Sequence, residues 1–336
     1  MTSTLLISEK ILGEYGKQLH AILAGAPRRL AIMEFRDDIV PTSEELKNIE
    51  AAFYSRDIWA GTIKDVLNLP SQRFWAIIDA APNIRWIQLV SAGADHRHYQ
   101  QAIARGVRLT TSAGTNAEPV ALTAVAGLLL LARCFPHWLR AQNRREWCPL
   151  ASSAWPTDLG GQTAVIVGTG YIGTRIARAL KAMDVHTIGV RRTSLPAPYF
   201  DEILSLETID SVLRRCDWLI LACPLTRETS GLVSADRFRL LPAHAGFINV
   251  SRGGVVDEVA LINALTSGRL NRGAYLDVFA DEPLSRESPL WTLPNVIITP
   301  HDATASKGNY ARGVDLFLSN LAQYLNEGTL ANEVRR

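Results

Sequence analysis

Short β-rich runs alternate along the chain with segments of helical periodicity. The runs fall at Thr4–Ile7, Leu30–Met33, Trp86–Val90 and Val107–Thr110, with helical patterns at Ser71–Ala81 and Asp95–Arg105. A second series follows at Thr163–Val167, Thr187–Val190, Trp218–Cys223, Gly246–Val250, Gly273–Leu276 and Val296–Thr299. A strand–helix–strand rhythm predicts parallel sheets covered on both faces. Between the two series, Thr111–Pro119 (TSAGTNAEP) is small and polar, and predicts a crossing between domains. One long helix is expected from about Val120 to Arg144, with the apolar run in its first half. The last segment, about Ala305–Asn326, places Val314, Leu316, Phe317, Leu321 and Leu325 at helical spacing and predicts an amphipathic helix.

Length and composition bound the picture. A chain of 336 residues fits two domains of about 150 each. With 47% hydrophobic and 20% charged residues it is an ordinary globular sequence, which excludes a disordered tail or a collagen-like chain. A net charge of +2 gives no electrostatic footprint for nucleic acid or a membrane surface, and neither partner is expected. The apolar run Val120–Ala132 falls short of the roughly twenty residues of a membrane span and reads as a buried helix. The opening MTSTLLISEK lacks a basic stretch followed by a long apolar core, so no secretory signal is expected. Cys134, Cys148, Cys216 and Cys223 show neither C-x-x-C spacing nor a dense framework; they read as reduced thiols of a cytoplasmic protein. His96 and His98 are expected to face opposite ways at a helix start, and His20, His137, His186 and His244 are isolated. No metal site is expected.

The strand TAVIV (Thr163–Val167) runs directly into Gly168-Thr169-Gly170-Tyr171-Ile172-Gly173 and then into a helical pattern. Alone, G-x-G-x-x-G is a weak signal. Between a strand and a helix, with another strand following on schedule, it predicts a dinucleotide-binding fold. Gly168 permits the tight turn, Gly170 lets the backbone approach a pyrophosphate, and Gly173 lets helix and strand pack closely. The helix start at Tyr171 and Ile172 offers N–H groups to the anion. Sites that prefer NAD place an acid about twenty residues further on. Here Arg191-Arg192-Thr193 stand at that place, and no Asp or Glu occurs between Val185 and Phe200. Two guanidiniums suit a 2′-phosphate, so NADP is the expected cofactor, with NAD possible should the two arginines only be solvated.

Three further segments are NVSRGGVVDE (Asn249–Glu258), LDVFADEP (Leu276–Pro283) and ITPHDA (Ile298–Ala303). With VGTGYIG before them, in this order, the chain resembles the D-isomer-specific 2-hydroxyacid dehydrogenase family. The resemblance runs from PNIRWIQLVSAGADH to the C-terminal helix. It implies a hydride transfer between a nicotinamide and a small 2-keto or 2-hydroxy acid. Arg252, at a strand's carboxyl end, then binds the carboxylate and ketone oxygens. His301 handles the proton, with a reference pKa of about 6.5 for its residue type. Glu282 orients His301. Asp277 either accepts a hydrogen bond from the nicotinamide carboxamide or holds a turn, and Asp281 is solvated. Cys223-Pro224, Val250 and Ser251 line the cofactor, Cys223 as a packing residue and not a nucleophile. Ala92 and Gly93 present backbone N–H groups to the substrate carboxylate. One departure is Asp302, where the family commonly has a small or apolar residue; it either shapes the pocket or points to solvent. Trp147 either reaches the neighbouring subunit's pocket or packs at an interface.

The expected fold is α/β: two doubly wound parallel-sheet domains with a cleft between them. A discontinuous flavodoxin-like substrate domain spans 1–112 and regains the C-terminal helix in 303–336; a Rossmann cofactor domain spans 113–302. A homodimer built on the long helix is expected. The implied reaction is reduction of glyoxylate or hydroxypyruvate by NADPH to the D-2-hydroxy acid. A rival of another class is a dinucleotide-sensing scaffold without turnover. Formate and phosphite dehydrogenases share the architecture; the formate enzymes resemble this chain less, since they carry Gln where it has Glu282.

Overall fold

The computed structural model describes residues 3–60 and 66–334. The chain divides into two units, Met1–Asn116 with Ser306–Arg336, and Ala117–Ala305. The sequence boundaries after residues 112 and 302 lie a few residues before these.

The first unit holds a sheet of β1 (Thr4–Ser8), β2 (Ala31–Phe35), β3 (Ile49–Tyr54), β4 (Trp86–Leu89) and β5 (Arg108–Thr110). Its order is β2-β1-β3-β4-β5, and every pair is parallel. This is the flavodoxin-like order. Successive residues point to opposite faces, and both faces are apolar. Leu5, Ile7, Phe53 and Trp86 pack on one side; Leu6, Ala52, Tyr54, Ile87 and Leu89 pack on the other. The helix Lys307–Leu325 returns to the first of these faces, where the Phe317 ring stacks on Phe53 at 4.2 Å. The edge of β5 is closed by the tail, through an antiparallel bridge of Thr110 to Glu333.

The second unit holds β6 (Thr163–Val167), β7 (His186–Arg191), β8 (Glu202–Ser205), β9 (Trp218–Leu221), β10 (Gly246–Asn249), β11 (Ala274–Leu276) and β12 (Val296–Ile298). The order is β12-β11-β10-β9-β6-β7-β8, all parallel. This is the Rossmann order extended by a seventh strand. The unbroken apolar run TAVIV follows from burial on two sides. Val165 and Val167 join Leu219, Leu221 and Phe247; Ala164 and Ile166 join Trp218, Ile220 and Ile248. Each large side chain fully buried in this way contributes roughly 1.5–3 kcal/mol.

Three local expectations are corrected. The expected helix Val120–Arg144 is two helices, Ala117–Ala132 and Phe135–Asn143, bent by 76°. Pro136 cannot donate to the carbonyl of Ala132 and its ring would clash there, while Cys134 takes a left-handed φ of 59° at the corner. Strands β3 and β8 escape the sequence reading. IEAAFY lacks β-branched enrichment and carries Glu50, whose buried carboxylate is held by Arg28 and by the Tyr324 hydroxyl at 2.7 Å. Strand β8 is a half-buried edge. Finally, His96 and His98 do not face opposite ways. His96 is the N-cap, outside the helical phase, and the two rings stack at 5.4 Å.

Among the described residues no single helix is long and apolar enough to cross a membrane, and no group of His, Cys, Asp or Glu is arranged to hold a metal.

Candidate active site

The loops of interest in the second unit leave the C-terminal ends of neighbouring parallel strands. Across the sheet these strands run β12, β11, β10, β9, β6 and β7. Their loops carry His301, Asp277 with Glu282, Arg252, Cys223, Gly168 and Arg191–Thr193 in that order. Neighbouring strands lie about 4.8 Å apart, so residues more than a hundred positions apart in sequence are brought to one edge. The chain leaves β6 toward β7 and returns to β9 on the other side. That makes β6/β9 the switch point, where open α/β sheets bind ligands.

Gly168 sits at this switch point with φ +102°, and a Cβ there would lie 2.5 Å from the carbonyl oxygen of Ala222. A Cβ on Gly173 would meet the Gly168 oxygen at 1.8 Å. Gly170 differs: no atom lies within 4 Å of its Cβ position. It is the N-cap of the helix Tyr171–Lys181 and brings no side chain to the first turn. Free N–H groups and open space therefore coincide, and the cradle fits a dinucleotide pyrophosphate. Tyr171 is exposed and Ile172 half-buried beside it.

Arg191 ends β7 half-buried, with Arg192 and Thr193 exposed after it. Among the described residues, neither guanidinium holds a carboxylate at ion-pair distance. The carboxyl of Glu228 sits below its ordinary value, chiefly through the Thr226 hydroxyl and, to a smaller degree, through Arg192.

His301 Nδ1 lies 2.7 Å from Glu282 Oε2. A carboxylate only accepts, so the proton of this bond is on Nδ1 and Nε2 is left for other partners. Glu282 Oε1 accepts from the Phe279 amide at 3.0 Å. The backbone of His301 has a left-handed φ of 54°, uncommon for a residue with a side chain, and its amide donates to the Asp277 carbonyl at 2.8 Å. Arg252 stands extended after β10, and its Nη1 donates to the Ser251 carbonyl at 2.8 Å.

A family model described as D-isomer specific 2-hydroxyacid dehydrogenase, NAD binding domain, matches residues 125–303. The chain belongs to the D-isomer specific 2-hydroxyacid dehydrogenases. It is 32% identical to a glyoxylate reductase of Pyrococcus horikoshii over 74% of this chain and 75% of that one. It is 32% identical to D-3-phosphoglycerate dehydrogenase of Mycobacterium tuberculosis over 71% of this chain and 45% of that one. Among solved structures, a D-isomer specific 2-hydroxyacid dehydrogenase from Xanthobacter autotrophicus Py2 in complex with NADPH and MES has a TM-score of 0.76 at 27% identity, covering 100% of this chain and 98% of that one. An NADPH-dependent glyoxylate/hydroxypyruvate reductase from Sinorhizobium meliloti in complex with NADP and sulfate gives 0.72 at 27%, covering 99% and 98%. This dehydrogenase is an NAD(P)-dependent enzyme of that family.

Several residues of the dehydrogenase support the site although they lie inside the sequence motifs without a role assigned to them there, Asn249, Glu258 and Thr299 among them. Thr299 donates to Asp277 Oδ1 at 2.6 Å, and the amides of Asp302 and Ala303 reach the same oxygen at 3.0 and 3.2 Å. Asp277, 2% exposed, is thus the anchor of the turn that carries His301. Burial pushes the neighbouring Tyr275 hydroxyl up to about 12, and it shares a 2.6 Å hydrogen bond with Thr299. Asn249 shapes the next loop: Oδ1 accepts from the Ser251 amide and hydroxyl at 3.0 and 2.7 Å, and Nδ2 donates to the Arg252 carbonyl at 3.3 Å. Glu258 Oε2 accepts from the Ala280 amide at 2.9 Å. A polar residue at the end of a buried strand was the available signal for Asn249, and a polar residue just after a half-buried strand for Thr299; Glu258 was marked only by closing the motif NVSRGGVVDE.

Other expected residues are placed as follows. Val250 and Ser251 are buried, at 6% and 5% exposed. Cys223 is 7% exposed, and burial pushes its thiol up to about 11, as suits a packing residue. Pro224 follows it, its carbonyl accepting from Thr229 at 2.7 Å. Asp302 is exposed. Ala92 and Gly93 lie in the first unit after β4, in a loop where the Ser91 hydroxyl donates to the Gly93 carbonyl at 2.9 Å.

Proposed function

We propose that this dehydrogenase takes NADPH in preference to NADH and reduces a small 2-keto acid, glyoxylate or hydroxypyruvate, to the D-2-hydroxy acid. The observation that carries the chemistry is the His301–Glu282 pair, held on the same strand edge as Arg252. The similarity to glyoxylate reductases supports the substrate, and Arg191–Thr193 at the end of β7 support the cofactor. We assign the pyrophosphate to Gly168–Gly173, a 2′-phosphate to Arg191, Arg192 and Thr193, and the cofactor's length to Cys223, Pro224, Val250, Ser251 and Asp277.

When bound, the reduced nicotinamide supplies the hydride. His301, with Nδ1 committed to Glu282, holds a second proton on Nε2 for the ketone oxygen. Glu282, pinned by Phe279, keeps the ring in one orientation and balances the charge of the doubly protonated imidazole. Arg252 binds the carboxylate and stabilises negative charge that builds on the ketone oxygen. The N–H groups of Ala92 and Gly93 are further donors to the carboxylate.

Exposed Leu122, Phe135, Trp138, Leu139 and the nearly fully exposed Trp147 support a homodimer built on the bent helix pair. Four free cysteines support a reducing, cytoplasmic location.

The decisive experiment is a panel of 2-keto acids with NADPH and with NADH. The reading expects turnover of glyoxylate or hydroxypyruvate, with a lower KM for NADPH. It also expects His301→Gln to lose on the order of 10²–10⁴-fold in kcat. Tight NADPH binding with no turnover on any keto acid would overturn it in favour of a sensor.

A further inference from the structure

Buried polar side chains inside a sheet domain are costly unless every donor and acceptor is met, and an apolar filling of the same volume usually serves stability as well. The first unit contains such a group directly beneath the Ser91–Gly93 loop. Gln88 and Thr110 are 0% exposed, and Ser112 and Asn320 are 1% exposed. They come from β4, β5, the crossing segment and the C-terminal helix, so no local pattern brings them together.

The amide of Gln88 uses all its positions. Its Oε1 accepts from Asn320 Nδ2 at 2.9 Å and from Thr110 Oγ1 at 2.8 Å; its Nε2 donates to the Leu89 carbonyl at 3.0 Å and, more loosely, to Ser112 Oγ at 3.4 Å. Thr110 in turn accepts from Trp86 Nε1 at 2.9 Å. Asn320 is held at both ends of its amide: Nδ2 also donates to the Ala331 carbonyl at 3.1 Å and Oδ1 accepts from the Ala331 amide at 2.8 Å. The network ends on the loop. The Ser112 hydroxyl donates to the Leu89 carbonyl at 2.7 Å, and its amide donates to the Ser91 carbonyl at 2.8 Å.

The tail that Asn320 holds clasps Ser112 from both sides. The Thr111 amide donates to the Asn332 carbonyl at 3.1 Å, and Asn332 Nδ2 donates to the Ala113 carbonyl at 2.7 Å. Gln88, Asn320 and the tail therefore fix the residue whose amide sets the position of Ser91.

We propose that Gln88 and Asn320 are positioning residues for substrate binding: they hold Ser91 through Ser112, and so preset the N–H groups of Ala92 and Gly93. This rests on the reading of that loop as a carboxylate site. A network kept only for stability would lower the melting temperature when broken and do nothing selective to substrate.

The test measures KM and kcat for glyoxylate, NADPH affinity, and hydrogen exchange over residues 90–95 in the full chain. Asn320→Ala and Gln88→Met are compared with Leu19→Ala, a buried core variant of the same unit whose side chain makes none of the network's hydrogen bonds, and with Ala92→Pro, which removes one N–H donor. Asn320→Ser, a smaller excision, replaces Asn320→Ala if the latter does not fold. The proposal expects both network variants to raise KM about tenfold or more, with kcat within about threefold, since small misplacements of a positioning group are amplified in function. It also expects unchanged NADPH affinity and faster exchange at 90–95, while Leu19→Ala shows none of these at a similar loss of melting temperature. If Ala92→Pro raises KM but the network variants match Leu19→Ala, the positioning role is wrong and the loop reading stands. If Ala92→Pro leaves KM unchanged, the loop is not the carboxylate site and the positioning role falls with it.

Discussion

Glu282 meets His301 Nδ1 on one carboxylate oxygen at 2.7 Å and the Phe279 amide on the other at 3.0 Å. Both partners are donors, so an amide in this place must turn its NH₂ toward one of them. Glu282→Gln is therefore expected to lower kcat on the order of 10²-fold, because the ring loses its orientation or its charge partner. NADPH affinity should hold. Steady-state kinetics across pH check this, and an unchanged kcat profile would sink the pair as the proton device.

Gly253 lies against the backbone of the Glu282 loop. A Cβ there would fall 1.9 Å from Phe279 carbonyl carbon and oxygen, neither of which is a flexible side-chain end. Gly253→Ala is expected to cost about 1–3 kcal/mol in stability. It should also lower kcat, since the loops of Arg252 and Glu282 are pushed apart. Gly254→Ala is the control, because its nearest contact is the Leu225 side chain at 3.2 Å. Thermal melts and activity of the pair decide the matter.

Acid stability should carry the mark of Asp201. Its carboxyl is lowered to about 2, chiefly by Lys181, then by the Thr187 amide. A carboxyl whose folded value lies below the unfolded one, about 3.9, stabilises above the latter, and that contribution disappears as pH falls toward the folded value. Asp201→Asn should therefore melt lower than the parent at pH 7. The gap should close between about pH 4 and pH 2. A gap that persists at pH 2 would contradict the assignment.

Thiol chemistry separates the four cysteines. Burial pushes Cys216 up to about 12 and Cys223 up to about 11, so little thiolate exists at pH 8 and reagent access is poor. Cys134 and Cys148 are partly exposed. Mass spectrometry after brief iodoacetamide treatment of the native protein should find label on Cys134 and Cys148 and none on Cys216 or Cys223.

Much of the fold was legible because burial on both faces leaves a local trace. TAVIV, WLIL and GFIN read as strands from composition alone, and the α/β class followed from their alternation. The glycine motif was legible for a similar reason: three backbone constraints within six residues need no distant partner to be recognised. IEAAFY was opaque because two alanines and a glutamate interrupt its strand formers, and the glutamate is satisfied by Arg28 and Tyr324, from remote parts of the chain. The break at Cys134 was written in Pro136, yet the apolar run before it outweighed that single residue.

By itself the sequence determined what each segment can be: strand, helix or turn, and which chemistry it can carry. Period and backbone freedom are local properties, and they survive without knowledge of neighbours. Only the tertiary structure decided which side chains meet. Strand order sets β10, β11 and β12 side by side, and through them the loops of Arg252, Glu282 and His301. It also sets Asn320 against Gln88, 232 positions away in the chain. Those contacts depend on sheet order and helix return, which are settled by the packing of whole faces and not by the residues in contact.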